Sequence, residues 1–384
     1  MMNEFILFGQ PDIGKDEINE VIDSLKNGWL GTGPKTKRFE EDFAKYKSSN
    51  FSLALNSCTA GLHLSCLTLD LKPGDEVITT AMTFCATVNA IIHAGGKPVL
   101  VDIDPSSWNI DCNKLEEKIT SKTKAIIPVH FAGRACDMDI IMGISKKYNL
   151  KVIEDCAHAI ETIYKGRKAG AIGDMGVFSF YATKNLAVGE GGMIISNNES
   201  LISKLKISAL HGMSKDAWSR FSNDGYKHYK VEMAGFKYNM PDIQAAIGIH
   251  QLKKIDDFTM KRERIWKLYL KEFENLPVNL PCEIEKNTTH AYHLFNICLD
   301  QNKTNIKRDD FLNKMNYNRI GVGIHYESIP IHPYYQKAFN WEPSDYPNAL
   351  KFGNETVSIP ISPKLSDNEL DKIISVTKNI LSEK

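Results

Sequence analysis

Short β-rich runs alternate with helical stretches from residue 51 to about residue 200. The runs lie at 51–55, 76–79, 98–101, 125–129, 151–154, 176–180 and 193–196. Residues 59–69, 85–93, 139–148 and 201–210 have apolar side chains at helical spacing. Because neighbouring parallel strands need a crossover connection, usually a helix, this alternation predicts an α/β fold with a mostly parallel, seven-stranded sheet sandwiched by helices.

The character of the sequence changes near residue 256. A helical segment over 240–255 opens with Pro241 and Asp242 and leads into a charged helix over 256–276. Strands near 293–299 and 321–326, with helices at 309–316 and 367–381, then indicate a smaller α+β domain. We therefore predict a large domain over residues 1–255, including an N-terminal arm, and a small domain over residues 256–384.

The composition is that of an ordinary globular protein, with 42% apolar and 24% charged residues. Its 47 basic and 47 acidic side chains cancel, so no global field favours nucleic acid or an anionic membrane as a partner. The first residues lack the basic region and apolar stretch of a signal peptide, and no apolar run approaches the roughly 18 residues of a spanning helix. We expect a cytoplasmic protein.

The eight cysteines include no Cys-x-x-Cys pair followed by a second pair, or by a histidine pair, at zinc spacing. The histidines are scattered along the chain. The sequence therefore predicts no metal site, and most cysteines are interpreted as reduced core residues.

Ligands of parallel α/β sheets bind beyond the carboxyl ends of the strands. Ser57, Cys58 and Thr59 follow the first run and open a helix, where free backbone N–H groups would hold a phosphate; the alternative is that Ser57 or Thr59 simply caps the helix. Phe84 follows the second run and could stack on a flat cofactor, or belong to the core.

Two further strand ends carry an acid and an amine. Asp155 and His158 follow the run 151–154, and Ser179 and Lys184 follow the run 176–180. Separately, Asp155 could be a helix cap, His158 a core histidine and Lys184 a solvated charge. Together they match pyridoxal phosphate binding, in which a carboxylate keeps the ring nitrogen protonated and a lysine amine bonds the aldehyde.

These residues belong to longer motifs at residues 28–34, 57–60, 154–159, 179–185 and 235–240, the last leading to 244–248. In this order, over nearly the whole chain, the sequence resembles the fold-type I pyridoxal phosphate-dependent transferases of the DegT/DnrJ/EryC1/StrS sugar aminotransferase family. His158 stands where many members have Gln, and Lys237 where many have Asn. Some relatives that dehydrate deoxysugars carry His in place of the lysine, so Lys184 favours amino transfer.

The resemblance implies roles for the cofactor-binding residues. Lys184 would bind the cofactor covalently and later shuttle the proton, Asp155 would pair with the ring nitrogen, and His158 would pack on or bond the ring. The phosphate would be held by Ser57, Cys58, Thr59 and Ser179. Asn239 would reach it from the neighbouring subunit, which implies a homodimer with two shared sites.

The resemblance also implies the substrates. L-glutamate would donate the amino group to give pyridoxamine phosphate, which would pass it to a nucleotide-linked keto sugar in ping-pong fashion. The segment 211–220 is similar to one in members that aminate C4 of a 4-keto sugar, such as the UDP-4-amino-4-deoxy-arabinose aminotransferases; otherwise it is a polar surface loop. Candidate substrate contacts are Trp29, Thr32, His211, Arg220, His325 and Tyr326.

Other functions stay open at this point. The same chemistry could serve a 3-keto sugar nucleotide or a small phosphorylated ketone, because hydrogen bonds in the pocket decide the substrate. A non-catalytic binding protein could also keep the fold. An altered lysine would favour that alternative, but Lys184 is present.

Overall fold

Seven strands form the central sheet of this computed structural model, which describes residues 5–214 and 229–382. The strands of the described part are β1 (Phe51–Leu55), β2 (Glu76–Thr80), β3 (Lys97–Val101), β4 (Thr123–Ile127), β5 (Lys151–Asp155), β6 (Ile163–Tyr164), β7 (Arg167–Lys168), β8 (Met175–Ser179), β9 (Gly192–Ser196), β10 (Val278–Asn279), β11 (Thr288–Thr289), β12 (Phe295–Leu299) and β13 (Thr356–Ile359). The large sheet has the order β1-β9-β8-β5-β4-β2-β3.

The large sheet is mostly parallel, as the alternation predicts. Strands β3, β2, β4, β5 and β8 pair in parallel, whereas β9 is antiparallel to both β8 and β1. The carboxyl ends of the parallel strands therefore meet at one edge, which is where this class of sheet binds ligands.

The helices pack around these strands. Those of the described part are α1 (Lys15–Asn27), α2 (Pro34–Lys47), α3 (Cys58–Leu67), α4 (Cys85–His93), α5 (Met138–Tyr148), α6 (Glu199–Ala209), α7 (Asp242–Lys253), α8 (Ile255–Phe273), α9 (Arg308–Tyr317), α10 (Pro333–Phe339), α11 (Pro347–Glu355) and α12 (Asp367–Ser382). None of the described helices is long and apolar enough to cross a bilayer.

Local chemistry explains where several helices begin. The side chain of Asp137 accepts the N–H of Ile140 at the start of α5, and Asn198 accepts that of Leu201 at the start of α6. Helix α3 lies tight against the sheet because Gly61 has no side chain: a Cβ there would lie 2.6 Å from Cγ1 of Val177. The close approach at Gly61 fixes the position of the start of α3 at the edge of the sheet.

A second sheet, β10-β12-β13, lies in the C-terminal part of the chain. It packs with α8, α9 and α12 around buried residues that include Trp266, Phe295 and Phe311. Ile6 of the N-terminal arm belongs to the same cluster and forms a β-bridge to Ile320. Helix α8 starts at Ile255, whose side chain packs in a cluster of the large sheet, and ends in this second core. The division between residues 255 and 256 stays a prediction.

One predicted strand is wrong. Residues 321–326 form no strand; a single bridge joins Gly323 to Ser358. The partner of β12 is instead β13, which the sequence reading missed. Glycines at 321 and 323 give that run little side-chain surface to pack, whereas Val357 and Ile359 of β13 are fully buried.

Candidate active site

A cavity of about 370 Å³ opens at the carboxyl edge of the large sheet. The predicted site residues that line it are Ser57, Cys58, Thr59, Phe84, Asp155, Ser179, Lys184, His325 and Tyr326. Strands β1, β2, β5 and β8 each end beside this cavity, so the topology brings together side chains far apart in sequence.

Lys184 lies in the turn after β8, where its N–H donates to the carbonyl of Tyr181 at 2.8 Å. Among the described residues, its amine makes no hydrogen bond or ion pair. Burial lowers the pKa of Lys184 to about 8, although the charge of Asp155 opposes the shift. A substantial fraction of the amine is therefore neutral near physiological pH and able to act as a nucleophile or base.

Asp155 is the last residue of β5 and only 3% exposed. One carboxylate oxygen accepts the hydroxyl of Thr87 at 2.8 Å, and the other accepts the N–H of Ala157 at 3.1 Å. Burial nevertheless raises the pKa of Asp155, because these two bonds and the charge of Lys184 compensate the lost hydration only in part. The negative charge of Asp155 is therefore only partly compensated, and a cationic group of a ligand would stabilise it.

Thr87 is a site residue that sequence reasoning missed. It lies in the first turn of α4, three residues after Phe84, and its hydroxyl also contacts that of Thr83 at 2.8 Å. The signal available in the sequence was a hydroxyl residue in the first turn of a helix that follows a strand end.

The N-terminus of α3 forms one wall of the cavity. Ser57 caps this helix, since its Oγ accepts the N–H of Ala60 at 3.1 Å, and Ser57 also lines the cavity. The first turn of a helix still leaves N–H groups without intrahelical partners, and the helix dipole favours an anion there. Burial keeps the pKa of the Cys58 thiol well above its ordinary value, so Cys58 stays protonated.

Ser179 ends β8 on the same rim and is 6% exposed. Its Oγ accepts the N–H of Tyr181 at 3.4 Å, which leaves the hydroxyl hydrogen free of this contact. Ser179 and the first turn of α3 therefore offer the cavity hydroxyl and N–H donors suited to a phosphate.

Aromatic side chains form the opposite wall. Phe84 is 56% exposed, and its ring centroid lies 5.7 Å from that of Tyr326. His325 stacks on Phe8 at 5.3 Å, and its Nδ1 lies 2.8 Å from Oγ of Ser358. Burial lowers the pKa of His325 to about 3, so its imidazole is neutral.

His158 does not line the cavity itself. It is buried behind Tyr326, with Nε2 3.0 Å from the Tyr326 hydroxyl and Nδ1 accepting the N–H of Ala132 at 3.2 Å. Burial, reinforced by the charge of Lys184, holds the pKa of His158 well below its usual range. His158 is therefore a neutral imidazole.

A buried polar network that sequence reasoning also missed adjoins Lys184. Asn185 donates to Oε1 of Glu161 at 2.8 Å and to the carbonyl of Ala291 at 2.7 Å, while its own oxygen lies 2.9 Å from Nδ1 of His293. Burial raises the pKa of Glu161 to about 7. The network ties the Lys184 turn to the segment that enters the second core.

Several predicted residues lie away from this cavity. Asn239 donates to Oγ1 of Thr32 at 2.5 Å, and Nε1 of Trp29 donates to the carbonyl of Thr32 at 3.4 Å. His211 is exposed and does not line the cavity. Arg220 lies outside the described residues, as does most of the segment 211–220. The structure therefore brings none of these four described residues to the cavity of their own chain.

His130, Glu154 and Cys156 could in principle hold a metal ion, because their ligand atoms lie within 4.8 Å of one another. Nδ1 of His130 accepts the N–H of Cys136, so Nε2 donates to Glu154 at 3.0 Å. The carboxylate of Glu154 also accepts the N–H groups of residues 170, 172 and 173. These bonds occupy His130 and Glu154 fully, which explains the cluster as a structural hydrogen-bond centre.

The cavity fits pyridoxal phosphate by the chemistry of its donors. Lys184 offers an amine that no described residue pairs with, Asp155 an incompletely compensated carboxylate and the start of α3 a helix end suited to a phosphate. Thr183, Tyr181 and Glu190 line the remaining rim and were not predicted. Tyr181 and Thr183 fall within the motif at 179–185, and Glu190 lies in the glycine-rich stretch 189–192 that follows it.

Comparisons with known proteins agree with this chemistry. The sequence profile of the DegT/DnrJ/EryC1/StrS aminotransferase family matches residues 11–378. The chain is 48% identical over 374 residues to the uncharacterized protein MJ1066 of Methanocaldococcus jannaschii, covering 97% of both chains. It is 45% identical over 381 residues to the spore coat polysaccharide biosynthesis protein SpsC of Bacillus subtilis, covering 99% of this chain and 98% of SpsC.

The fold is similar to that of Spr1654 from Streptococcus pneumoniae, a candidate sugar aminotransferase. The PLP form of Spr1654 aligns with a TM-score of 0.89 and 32% identity, covering 98% of this chain and 100% of that chain. The PMP form aligns with a TM-score of 0.90 and 32% identity, covering 98% of both chains.

Proposed function

The chain belongs to the DegT/DnrJ/EryC1/StrS aminotransferase family, and from that premise we propose that it moves the amino group of L-glutamate onto C4 of a nucleotide-linked 4-keto sugar. It is a sugar aminotransferase whose cofactor is pyridoxal phosphate, with the pyridoxamine form between the two half reactions. A non-catalytic binding role is thereby wrong. The observation that carries the proposal is the amine of Lys184, which has no partner within residues 5–214 and 229–382, in the same cavity as Asp155.

Bound pyridoxal phosphate supplies an aldehyde that exchanges amines and a ring that withdraws electrons. In our proposal, Lys184 bonds the aldehyde, Asp155 faces the ring nitrogen, and Ser57, Thr59 and Ser179 hold the phosphate. The surface of Phe84 that is open to the cavity supports stacking on the ring.

Lys184 is the proposed acid and base of both half reactions. Its pKa of about 8 lies near neutral pH, which lets one amine take a proton from carbon and return it without a large energetic penalty in either direction. Asp155 supports this role because its charge opposes complete neutralisation of the lysine. No second base is required in this proposal.

The substrate class is supported by the relatives and by the segment 211–220. SpsC is named for spore coat polysaccharide biosynthesis, and Spr1654 is named for a sugar aminotransferase. Polysaccharide synthesis commonly draws on activated, nucleotide-linked sugars, and we propose a surface polysaccharide pathway in the cytoplasm, such as that of lipopolysaccharide or capsule. C4 as the aminated carbon rests on the similarity of 211–220 to C4-specific members.

A homodimer with shared sites is also part of the proposal. Asn239, Thr32 and Trp29 cluster away from the cavity of their own chain, and the side-chain oxygen of Asn239 is buried without a partner among the described residues. Helix α1 and the following turn expose Ile18, Leu25 and other apolar side chains. A second copy could cover this surface and receive Asn239 at its phosphate.

The test is a spectroscopic titration of the purified holoenzyme. L-glutamate should bleach the visible cofactor band, and one member of a panel of UDP- and dTDP-linked 4-keto and 3-keto sugars should restore it. Restoration by a 3-keto sugar nucleotide, or by a small phosphorylated ketone, would replace the C4 proposal with that alternative. A cofactor band that no amino acid bleaches would refute amino transfer by this protein.

Lys184→Ala is the matched control. This variant should bind cofactor without a covalent bond and lose multiple turnovers, because the proton-transfer group is gone. Retained multiple-turnover transamination would remove Lys184 from the proposed mechanism. Size-exclusion chromatography with light scattering tests the dimer. If the sites are shared, mixing Lys184→Ala with Asn239→Ala subunits should restore one of the two sites in each mixed dimer, about a quarter of all sites in a statistical mixture.

A further inference from the structure

Lys184 and Asp155 carry opposite charges in one cavity, yet they form no ion pair. The charge of Asp155 acts on Lys184, but the described partners of the carboxylate are Thr87 and Ala157. Inside a protein, an opposite charge attracts the flexible side chain of a lysine more strongly than it does in water. A structural feature must therefore keep the amine of Lys184 from reaching Asp155.

The cofactor needs this separation. The aldehyde carbon and the ring nitrogen of pyridoxal phosphate lie at opposite ends of the pyridine ring. An amine that meets one and a carboxylate that meets the other must therefore stand a ring's width apart. A direct ion pair would close this gap, and it would also keep the amine protonated and unable to attack the aldehyde.

The backbone by itself holds the turn of Lys184 with few contacts. In the described chain, one hydrogen bond joins residues 182–187 to another backbone group, and it runs from the N–H of Lys184 to the carbonyl of Tyr181. The next residue, Asn185, is only 5% exposed. Its side chain is the main polar anchor of the turn.

Asn185 binds two separate parts of the protein. Its amide nitrogen donates to Oε1 of Glu161 at 2.8 Å and to the carbonyl of Ala291 at 2.7 Å. Its oxygen lies 2.9 Å from Nδ1 of His293. The backbone N–H groups of Ala291 and His293 in turn donate to the carbonyls of residues 133 and 132, both at 3.1 Å. Asn185 therefore ties the turn to a segment that is itself held in place.

We propose that Asn185 is a positioning residue that holds the amine of Lys184 away from Asp155 in the protein without cofactor. The inference rests on the proposed role of Lys184 as the amine that binds pyridoxal phosphate. Three contacts of Asn185 fix the backbone beside Lys184, so the lysine side chain enters the cavity without meeting the carboxylate. The lowered pKa of Lys184 agrees with this arrangement, because pairing with a carboxylate would raise it.

Asp155 is the group from which the amine must be kept. Burial holds the imidazoles of His158, His293 and His325 neutral, since it lowers the pKa of each. Burial also raises the pKa of the Cys58 thiol, which stays protonated. Glu190 lines the cavity too, but its side chain is exposed to water, which weakens its attraction for a buried amine.

The test measures how fast the apoprotein binds pyridoxal phosphate, by stopped-flow absorbance from about pH 6 to about pH 11. The wild-type rate should rise through a midpoint near 8, the pKa of Lys184. In Asn185→Ala the amine should move to Asp155, and the midpoint should rise by about one to two pH units. Asn185→Ser, a milder change that also removes the amide, should shift the midpoint in the same direction. An unchanged midpoint in both variants would overturn the proposal.

Two comparisons separate positioning from a general loss of stability. Asn109 is 4% exposed and makes three side-chain bonds, to residues 131, 134 and 135, outside the cavity. Asn109→Ala should therefore lower stability but keep a midpoint near 8. Adding Asn185→Ala to Asp155→Asn should leave the midpoint of the single Asp155→Asn variant unchanged, because the attracting charge is gone. A shift that persists in that background would also overturn the proposal.

The role of Lys184 itself is tested by Lys184→Ala. If that apoprotein still bound the cofactor covalently with the wild-type pH profile, the proposed function of Lys184 would be wrong. If covalent binding depended on Lys184 but Asn185→Ala kept a midpoint near 8, only the positioning role would fail. A crystal structure of the Asn185→Ala apoprotein should show the amine of Lys184 within ion-pair distance of Asp155, and an amine that has not moved would contradict the proposal.

Discussion

Replacing Asp155 with Asn should make the protein without cofactor more stable. The carboxylate is 3% exposed, and its pKa is raised by burial above the ordinary 3.8. An acid whose pKa is higher in the folded state binds protons more readily when folded, so stability falls as pH rises from about 4 through the folded-state pKa. Asn resembles the protonated form, and the variant should escape this loss.

The substitution should leave few donors unsatisfied. The Asn oxygen can accept the N–H of Ala157, and the amide nitrogen can donate to Thr87, whose hydroxyl can rotate to donate to Thr83. We therefore expect a gain of about 1 kcal/mol at neutral pH, within the range typical of substitutions that relieve a functional site. The gain corresponds to a rise of about 2 °C in Tm and should vanish below about pH 4.

The same change should harm function. Losing a charge-assisted bond to the ring nitrogen costs about 1–2 kcal/mol relative to a neutral one, which weakens cofactor affinity by about 5- to 30-fold. Turnover should fall at least about a hundredfold, because an electrostatic group aimed at the reacting system is removed. Calorimetry of the apoprotein and equilibrium dialysis with pyridoxal phosphate measure the two effects.

Two controls sharpen this prediction. Asp42→Asn changes an exposed carboxylate and should alter neither quantity. Glu154→Gln changes the neighbouring buried acid, whose oxygens accept from His130 and three backbone N–H groups, and should destabilise the apoprotein by about 3 kcal/mol or more. If Asp155→Asn lowered Tm and left cofactor affinity unchanged, the interpretation of Asp155 as an uncompensated functional charge would be wrong.

Three further predictions follow from other parts of the structure. The association rate of pyridoxal phosphate with the apoprotein should rise with pH through a midpoint near 8 and then level off, because the amine of Lys184 loses its proton over this range. Stopped-flow absorbance from pH 6 to 10 measures this rate. A rate that does not change with pH would contradict the lowered pKa of Lys184. Glu161→Gln should stabilise the apoprotein by about 3 kcal/mol above pH 7 and by nothing below about pH 4.5, since the pKa of Glu161 is raised from 4.5 to about 7. Urea titrations at both pH values test the sign. Phe178→Ala should lower the free energy of unfolding, measured in urea, by about 3–5 kcal/mol, because Phe178 is fully buried and packs edge-on against Phe43 with ring centroids 5.1 Å apart. A loss below about 1 kcal/mol would show that neighbouring side chains fill the space left by the ring.

Much of the large sheet could be predicted from the sequence because its strands are buried on both faces. Such strands read as short apolar runs, as in Val152 and Ile153, and the crossover helices show a clear apolar spacing. The predicted helix 85–93 has the same bounds as α4. The two-residue strands β6, β7 and β11 were beyond reach, since so few residues carry no period.

The antiparallel direction of β9 could not be predicted either. The sequence between β8 and β9 lacks a recognisable crossover helix, and the structure shows a turn-rich connection that includes Lys184. A connection without a crossover helix is compatible with an antiparallel pair, but its glycines at 189, 191 and 192 resemble those of a phosphate loop as well. Whether β9 pairs parallel or antiparallel to β8 depends on how the connection between them packs, and no local sequence pattern predicts that packing.

The cavity could be anticipated because one topological rule locates it. Residues directly after parallel strands meet at one edge, and that rule selected Ser57, Phe84, Asp155 and Lys184 without any knowledge of their contacts. The rule says nothing about partners that approach from elsewhere. Thr87 and His293 therefore escaped notice, because each is defined by the side chain that it contacts and not by its own position in a pattern.

Glu154 and Asp155 show why adjacent carboxylates of one strand have different roles. Successive side chains of a strand point to opposite faces, so Glu154 meets His130 and three backbone N–H groups while Asp155 faces the cavity with two donors. Although burial raises both pKa values, hydrogen bonds bring that of Glu154 below its usual range, whereas that of Asp155 stays raised. A buried charge whose compensation is incomplete in the protein alone is stabilised when a ligand brings the missing counter-charge. The two acids are adjacent in sequence, and the alternation of side chains along the strand gives them different environments. Glu154 has its charge compensated by groups of the fold, whereas the charge of Asp155 is compensated fully only when the cofactor is bound.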